Sequence, residues 1–175
     1  MQTVRWIALG IIMGLAGGPA AFAEQGQADI RATRPDGAAV AGTATLTDTQ
    51  EGLKIAVQIT QAPPGTHGLH IHQFGACGEA GVQAGGHYNP DKSPHGLLHQ
   101  DGFTKAHAGD LGNIEIGVDG TGSLEQTIPD LRLSHGPYTV GGRAVILHEK
   151  PDDFSQPTGN AGGRIGCGPI VVTGE

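Results

Sequence analysis

The stretch Leu53-Lys54-Ile55-Ala56-Val57-Gln58-Ile59-Thr60 places an apolar residue at every second position. Successive side chains of a β-strand point to opposite faces, so this period predicts a strand with one buried face. The same alternation recurs at Ile114-Glu115-Ile116-Gly117-Val118, which leads through Asp119-Gly120 into a further strand at 123–128. Because Asp-Gly between two such runs is a strong hairpin signal, the two runs are predicted to pair.

Turn residues separate further short segments with strand composition. Pro35-Asp36-Gly37 predicts the turn after the first strand, and Pro63-Pro64-Gly65 ends the third. We therefore predict an all-β domain of eight antiparallel strands, a Greek-key barrel or sandwich of immunoglobulin-like type. The remaining strands are predicted at 28–34, 40–48, 67–74, 140–148 and 168–173.

Two segments, 75–110 and 149–166, are long, rich in glycine and without strand periodicity. Loops of this length inside a compact domain usually serve a function. We therefore expect the functional residues in or next to these two loops.

Residues 1–23 have the pattern of a secretory signal peptide. Arg5 precedes an apolar run that ends at Leu15, and Ala21-Phe22-Ala23 provides an A-x-A cleavage site. A retained anchor is the alternative, but the run is short for a membrane span. We expect cleavage, export to the periplasm or an extracellular space, and a mature domain at 24–175 without stable membrane insertion.

The charge and the cysteines narrow the functional classes. Cleavage lowers Lys+Arg from 10 to 9 and leaves Asp+Glu at 17, which gives a formal charge of −8. An acidic protein without a basic stripe is a poor candidate for binding nucleic acid. In an exported chain, Cys77 and Cys167 favour one disulfide, with two free thiols as the alternative.

Histidines next to the first loop suggest a metal site. His70 and His72 are two residues apart, so on a strand they share one face, although a pair of surface histidines is the alternative. His148 favours the metal site because it ends the apolar run 144–147, where an unpaired polar ring would be costly. These three imidazoles need one more nitrogen ligand to complete a set of four.

A second set of candidate ligands lies within the first loop. Three imidazoles and one carboxylate fit a closed, structural zinc site, and the residues are His87, His95, His107 and Asp110. As an imidazolate, His87 could also complete the first set, whose four nitrogen atoms favour copper(II). The other histidines, His67, His99 and His135, are predicted to be ordinary surface or turn residues.

Over most of its length, the chain closely resembles the copper/zinc superoxide dismutases, because several of its sequence motifs match motifs of that family and occur in the same order as they do there. The matching motifs are Gly68-Leu69-His70-Ile71-His72, Gly86-His87-Tyr88-Asn89-Pro90, His107-Ala108-Gly109-Asp110-Leu111-Gly112-Asn113, His148-Glu149-Lys150 and Gly159-Asn160-Ala161-Gly162-Gly163-Arg164-Ile165-Gly166-Cys167-Gly168. The resemblance implies an enzyme that converts superoxide into oxygen and hydrogen peroxide, with one copper and one zinc per subunit, in antioxidant defence.

The resemblance also assigns roles to individual residues. The implied copper ligands are His70, His72, His87 and His148, and the implied zinc ligands are His87, His95, His107 and Asp110. His87 is then the bridging imidazolate and proton donor, and Arg164 is the arginine that docks the substrate. Asp152 matches a carboxylate that links a copper-bound to a zinc-bound histidine, and Cys77 and Cys167 match the family disulfide.

Some features depart from the family pattern. Cys77 follows His72 by only five residues, as in exported bacterial members. The loop after His148 lacks the charged cluster that steers superoxide in animal enzymes, which leaves open both the steering residues and the homodimer that the resemblance suggests. The alternative function is a dismutase-like domain that binds or delivers copper or zinc without catalysis. A zinc hydrolase is a third reading, but no H-E-x-x-H motif is present.

Overall fold

The structure is a computed structural model that describes residues 23–174. The predicted signal peptide lies outside the described residues, except for Ala23. In the described part, the strands are β1 (Gln25–Ala32), β2 (Ala41–Thr49), β3 (Gly52–Gln61), β4 (Gly65–His72), β5 (Asp110–Ile116), β6 (Gly122–Ile128), β7 (Leu131–Arg132), β8 (Tyr138–Thr139), β9 (Ala144–His148), β10 (Arg164–Pro169) and β11 (Val171–Gly174). A single helical turn, α1 (Leu98–Asp101), and a 3-10 turn at Val82–Ala84 lie in the first loop.

Eight of these strands form a nearly closed antiparallel barrel. Neighbouring strands follow the order β5-β4-β9-β10-β1-β2-β3-β6, and β11 pairs with β1 outside this path. The two end strands, β5 and β6, are joined by the turn at Asp119–Gly120, and Gln126 of β6 donates to the carbonyl of Leu111 in β5. The predicted fold class is confirmed.

The barrel interior is filled by one face of each strand. In β3, Leu53, Ile55, Val57 and Ile59 are at most 1% exposed, while the residues between them are less buried, as the alternation predicts. Burial of a large aliphatic side chain contributes about 1.5–3 kcal/mol, so this face alone stabilises the barrel strongly. β4 and β9 are buried on both faces at the ends that carry histidines, because the two long loops cover their outer side.

Several predicted boundaries were wrong. β10 begins at Arg164 and β5 at Asp110, inside segments predicted as loop. The strand predicted at 168–173 is divided between β10 and β11, and β9 begins four residues later than predicted. Val118 was predicted within a strand, but it is 98% exposed in the turn. Glycine and proline weaken local periodicity, so pairing with neighbouring strands decides these ends.

The predicted disulfide between Cys77 and Cys167 is confirmed, and it joins the first loop to β10. The longest helix among the described residues has four residues, and none there could cross a membrane.

Candidate metal centre

His70 and His72 on β4 and His148 at the end of β9 lie side by side. The two strands are paired, with His70 opposite Ile146 and His72 opposite Ala144. The exposed fractions of His70 and His72 are 0% and 1%, which excludes the alternative of two surface histidines. Leu69 and Ile71, on the opposite face of β4, belong to the barrel core.

His87 joins these three to form the first cluster. The potential ligand atoms of His70, His72, His87 and His148 all lie within 4.8 Å of one another. His87 is held there by the backbone, because it forms an isolated β-bridge with His72. The Nε2 atoms of His72 and His148 face each other at 3.3 Å.

Three rings of the first cluster are oriented by hydrogen bonds from the ring nitrogen that points away from the centre of the cluster. His72 donates from Nδ1 to the carbonyl of Gly85 (2.9 Å), and His148 donates from Nδ1 to Gly162 (3.3 Å). His70 instead donates from Nε2 to Asp152 Oδ2 (2.8 Å). Because one nitrogen of each ring carries the proton, the other presents its lone pair to the centre of the cluster.

The second cluster consists of His87, His95, His107 and Asp110, whose ligand atoms also lie within 4.8 Å of one another. Asp110 Oδ1 is 2.8 Å from His87 Nδ1 and 3.1 Å from His107 Nδ1. Its Oδ2 accepts hydrogen bonds from the backbone N–H groups of Gly96 (3.0 Å) and His107 (2.9 Å). Since His87 Nδ1 faces this cluster, the opposite side of the same ring faces the first one.

Two buried ring nitrogens test whether the clusters fit cations. Among the described residues, His70 Nδ1 and His95 Nδ1 have no hydrogen-bond partner, although Asp110 Oδ2 is 2.8 Å from the latter. Buried polar atoms are rarely left unpaired, because the loss of hydration costs about 1–3 kcal/mol. A cation in each cluster would satisfy them. Four imidazoles suit copper(II), and three imidazoles with a carboxylate suit zinc.

Asp152 connects the two clusters from behind. Its carboxylate accepts from His70 Nε2 and, at 2.9 Å, from His95 Nε2. Asn113 fixes the backbone of Asp152 through two hydrogen bonds, as donor to its carbonyl (2.9 Å) and as acceptor from its N–H (2.7 Å). One buried carboxylate therefore orients one histidine of each cluster.

Three rings of the first cluster, those of His72, His87 and His148, are held neutral. Burial, together with the neighbouring histidines, lowers the pKa of His72 to about 2, of His148 to about 3 and of His87 to about 4. The neutral ring is the form that binds a metal ion.

The second cluster is negatively charged around its histidines. Burial raises the pKa of the Asp110 carboxyl, but hydrogen bonds from His107 and His87 and the adjacent His95 ring outweigh it and hold that pKa well below its usual range. The pKa of Asp152 is lowered against burial by His70 and His95 in the same way. Both carboxylates outweigh the burial of His95 and raise its pKa to about 9, so a proton there occupies a place suited to a metal cation.

Arg164 lies next to the first cluster because of a β-bulge. It pairs with His148, while Gly166 pairs with Leu147, so Ile165 is the extra residue. The Arg164 guanidinium donates to the carbonyls of Gly81, Val82 and Gly85 in the loop that the disulfide anchors. Arg164 also lines a surface cavity of about 680 Å³, together with Asp36 and Glu149; the four histidines of the first cluster are not part of its lining.

The histidines predicted to lie outside the metal centre behave differently from one another. His99 and His135 are exposed, as predicted. The prediction for His67 was wrong, because it is 4% exposed and lies between the carbonyls of His148 (2.8 Å) and Pro63 (2.9 Å). The residues around it in the sequence gave no signal of this burial, which arises from the pairing of β4 with β9.

The chain is similar to known proteins over most of its length. The family model for copper/zinc superoxide dismutase (SODC) matches residues 40–170. Superoxide dismutase [Cu-Zn] 2 of Brassica juncea is 41% identical over 140 residues, which cover 76% of this chain and 84% of that protein. A crystal structure of the clock protein EA4 shares 32% identity with a TM-score of 0.73, covering 90% of this chain and 99% of that one.

Proposed function

Since the chain belongs to the copper/zinc superoxide dismutase family, we propose that its first histidine cluster is the copper site and its second the zinc site. The proposed copper ligands are His70, His72, His87 and His148, and the proposed zinc ligands are His87, His95, His107 and Asp110. His87 is shared by both sites. The donor atoms, the buried His70 Nδ1 without a hydrogen-bond partner, and the His95 Nδ1 directed at Asp110 support this assignment.

The activity of the protein is the dismutation of superoxide, in which two superoxide anions and two protons give oxygen and hydrogen peroxide. Copper bound in the first cluster supplies the one-electron oxidation and reduction, and zinc bound in the second supplies positive charge. The hydrogen bonds of the ring nitrogens to Gly85, Gly162 and Asp152 keep the imidazoles in place during both half-reactions. Rigid ligands reduce the reorganisation that accompanies electron transfer.

Arg164 is proposed to dock the superoxide anion. Its guanidinium is permanently charged, and three backbone carbonyls hold it beside His148. The carbonyls do not neutralise this charge, so it creates a local positive potential on an acidic protein. The charge of Arg164 adds to burial in lowering the pKa of both His72 and His148, so the guanidinium lies close enough to the first cluster to attract an anion there.

His87 is proposed to move a proton. Its Nδ1 is committed to Asp110, whereas the opposite nitrogen, Nε2, faces the first cluster. Because Nδ1 is turned to the proposed zinc site, Nε2 is the nitrogen that could take up a proton and pass it to reduced substrate.

The observation that carries the proposal is the pair of buried clusters that share His87. The test is metal analysis and superoxide decay on one purified sample. We expect one copper and one zinc per chain with fast dismutation. Metal-loaded protein without dismutation would instead indicate the binding or delivery domain, and a single ion per chain would contradict the shared histidine.

We further propose that the protein acts in the periplasm or an extracellular space as a homodimer. The N-terminal pattern of residues 1–23 and the disulfide support export, because disulfides persist in oxidising compartments. Sequencing of the mature protein from cell fractions should give Glu24 as the first residue, and full-length cytosolic protein would contradict export.

Sedimentation of the metal-loaded protein should give twice the chain mass, and a single chain mass would contradict the homodimer.

A further inference from the structure

The loop after β9 contacts His95 with two side chains. Asp152 accepts a hydrogen bond from the ring of His95, as described above. Gln156 binds the backbone of the same residue: its Oε1 accepts from His95 N–H (2.9 Å) and its Nε2 donates to His95 O (2.8 Å). His95 is therefore held at both its ring and its main chain by residues four positions apart.

The loop is internally bonded in a way that presents both side chains together. Asp153 N–H donates to Gly159 O (2.9 Å), and Gly159 N–H donates to Ser155 O (2.7 Å). Asn160 Nδ2 donates to Asp153 Oδ2 (3.1 Å) and to Ser155 Oγ (3.0 Å). These bonds close the segment into a compact turn, so Asp152 and Gln156 project toward His95 as one unit.

Gly159 permits the close approach of this turn. Its φ is +73°, and a Cβ there would lie 1.8 Å from Asp152 Oδ1 and 2.6 Å from His95 Nε2. A side chain at this position would thus collide with the hydrogen bond that orients the His95 ring.

We propose that Gln156 is a positioning residue for zinc: it fixes the main chain of His95 so that the ring Nδ1, 2.8 Å from Asp110 Oδ2, stays directed into the second cluster. This inference rests on the zinc site of the proposed function. The ring contact with Asp152 sets the rotation of the imidazole, but it does not fix the backbone from which the ring extends. The two hydrogen bonds made by the Gln156 side-chain amide restrict that backbone, which otherwise belongs to a long loop.

Substitutions of residues that orient metal ligands commonly reduce metal affinity about 10- to 100-fold. Gln156 lies one step further from the metal than Asp152, so we expect an effect of about tenfold. Gln156→Met keeps the length of the side chain and removes both hydrogen bonds to the main chain of His95. Gln156→Glu keeps the acceptor for His95 N–H, but places a second oxygen against His95 O. Its effect should lie in the same direction.

The experiment measures zinc release from the copper- and zinc-loaded protein into excess EDTA, and the visible spectrum of cobalt(II) bound in place of zinc. The matched control is Gln58→Met, on the exposed side of β3, where the glutamine side chain makes no hydrogen bond within the described residues. We expect Gln156→Met to release zinc about ten times faster and to change the cobalt spectrum, while the control behaves as the unmodified protein.

Three results separate the interpretations. Unchanged zinc release and an unchanged cobalt spectrum in Gln156→Met would overturn the inference. If the melting midpoint of the metal-free protein also fell, Gln156 would stabilise the loop without positioning the zinc ligand. Should Gln156→Met fail to fold, Gln156→Glu decides by the same two metal readouts. Failure of the unmodified protein to hold one zinc per chain or to dismutate superoxide would contradict the proposed function, not the role of Gln156 alone.

Discussion

Removal of the disulfide should destabilise the metal-free protein strongly. The bond closes a loop between residues 90 positions apart in the sequence. In the chain-entropy account, cross-linking a loop of that length restricts the unfolded chain and stabilises the fold by about 4.5 kcal/mol at 25 °C. The double variant Cys77→Ala with Cys167→Ala should therefore lose a similar free energy of unfolding.

The expected change in melting temperature follows from the size of the domain. For a domain of about 150 residues, each kcal/mol corresponds to about 2–4 °C, so the midpoint should fall by about 9–18 °C. Cys167 is 3% exposed, and alanine there adds no buried polar group, so the loop-closure effect dominates.

The assay is urea unfolding of metal-free protein followed by far-ultraviolet circular dichroism. Metal-free protein is needed because bound ions would stabilise the folded state by mass action. Tryptophan fluorescence is unsuitable because the only tryptophan of the sequence is Trp6, in the predicted signal peptide. The matched control is the unmodified protein with its disulfide kept reduced by excess reductant, which should unfold at nearly the same urea concentration as the double variant.

A loss below about 1 kcal/mol, with an unchanged dependence on urea, would refute this reasoning. It would mean that the unfolded chain is already restricted between Cys77 and Cys167 without the bond. A loss confined to the double variant, and absent from the reduced protein, would instead indicate a packing defect caused by the alanines.

Three further predictions concern the metal centre. Arg164→Ala should lower the dismutation rate at least about tenfold and weaken its dependence on ionic strength while metal content stays normal, because a fixed charge is lost; stopped-flow superoxide decay measures this, and an unchanged rate would reject docking. Asp152→Asn should weaken metal binding about 10- to 100-fold, because an amide has a single acceptor oxygen and cannot accept from both histidine rings as the carboxylate does. Competition with a chelator measures this affinity, and unchanged affinity for both ions would contradict the linking role. The metal-free protein should lose stability as pH falls below about 6.5, by up to about 1.4 kcal/mol per pH unit for each ring, because the unfolded state takes up protons that the folded state excludes. The raised pKa of His95 offsets only part of this loss of stability. Urea midpoints measured from pH 7 down to pH 5 test the prediction. Stability that rises as the pH falls would contradict the neutral state of His72, His87 and His148.

Much of the barrel could be predicted from the sequence because its information is local. The alternation at 53–60 is present in any window along the strand, and burial of one face follows directly from the geometry of a β-strand. The identities of the candidate ligands were also predictable, since imidazole and carboxylate groups in such numbers have few other uses. Strand ends were not, because Gly and Pro near Asp110 and Arg164 carry no period of their own.

The arrangement of the site depends on contacts between distant parts of the chain. His70 and Asp152 are 82 residues apart, and His95 and Gln156 are 61 residues apart, yet each pair is joined by a hydrogen bond. His67 is buried between the carbonyls of Pro63 and of His148, which is 81 residues away along the chain. The sequence by itself determined the strand pattern and the chemical type of the ligands, since both depend on residues close together along the chain. Only the tertiary structure decided which nitrogen of each ring faces a cluster and which loop residues hold it, because strand register, a bulge and loop closure set those positions together.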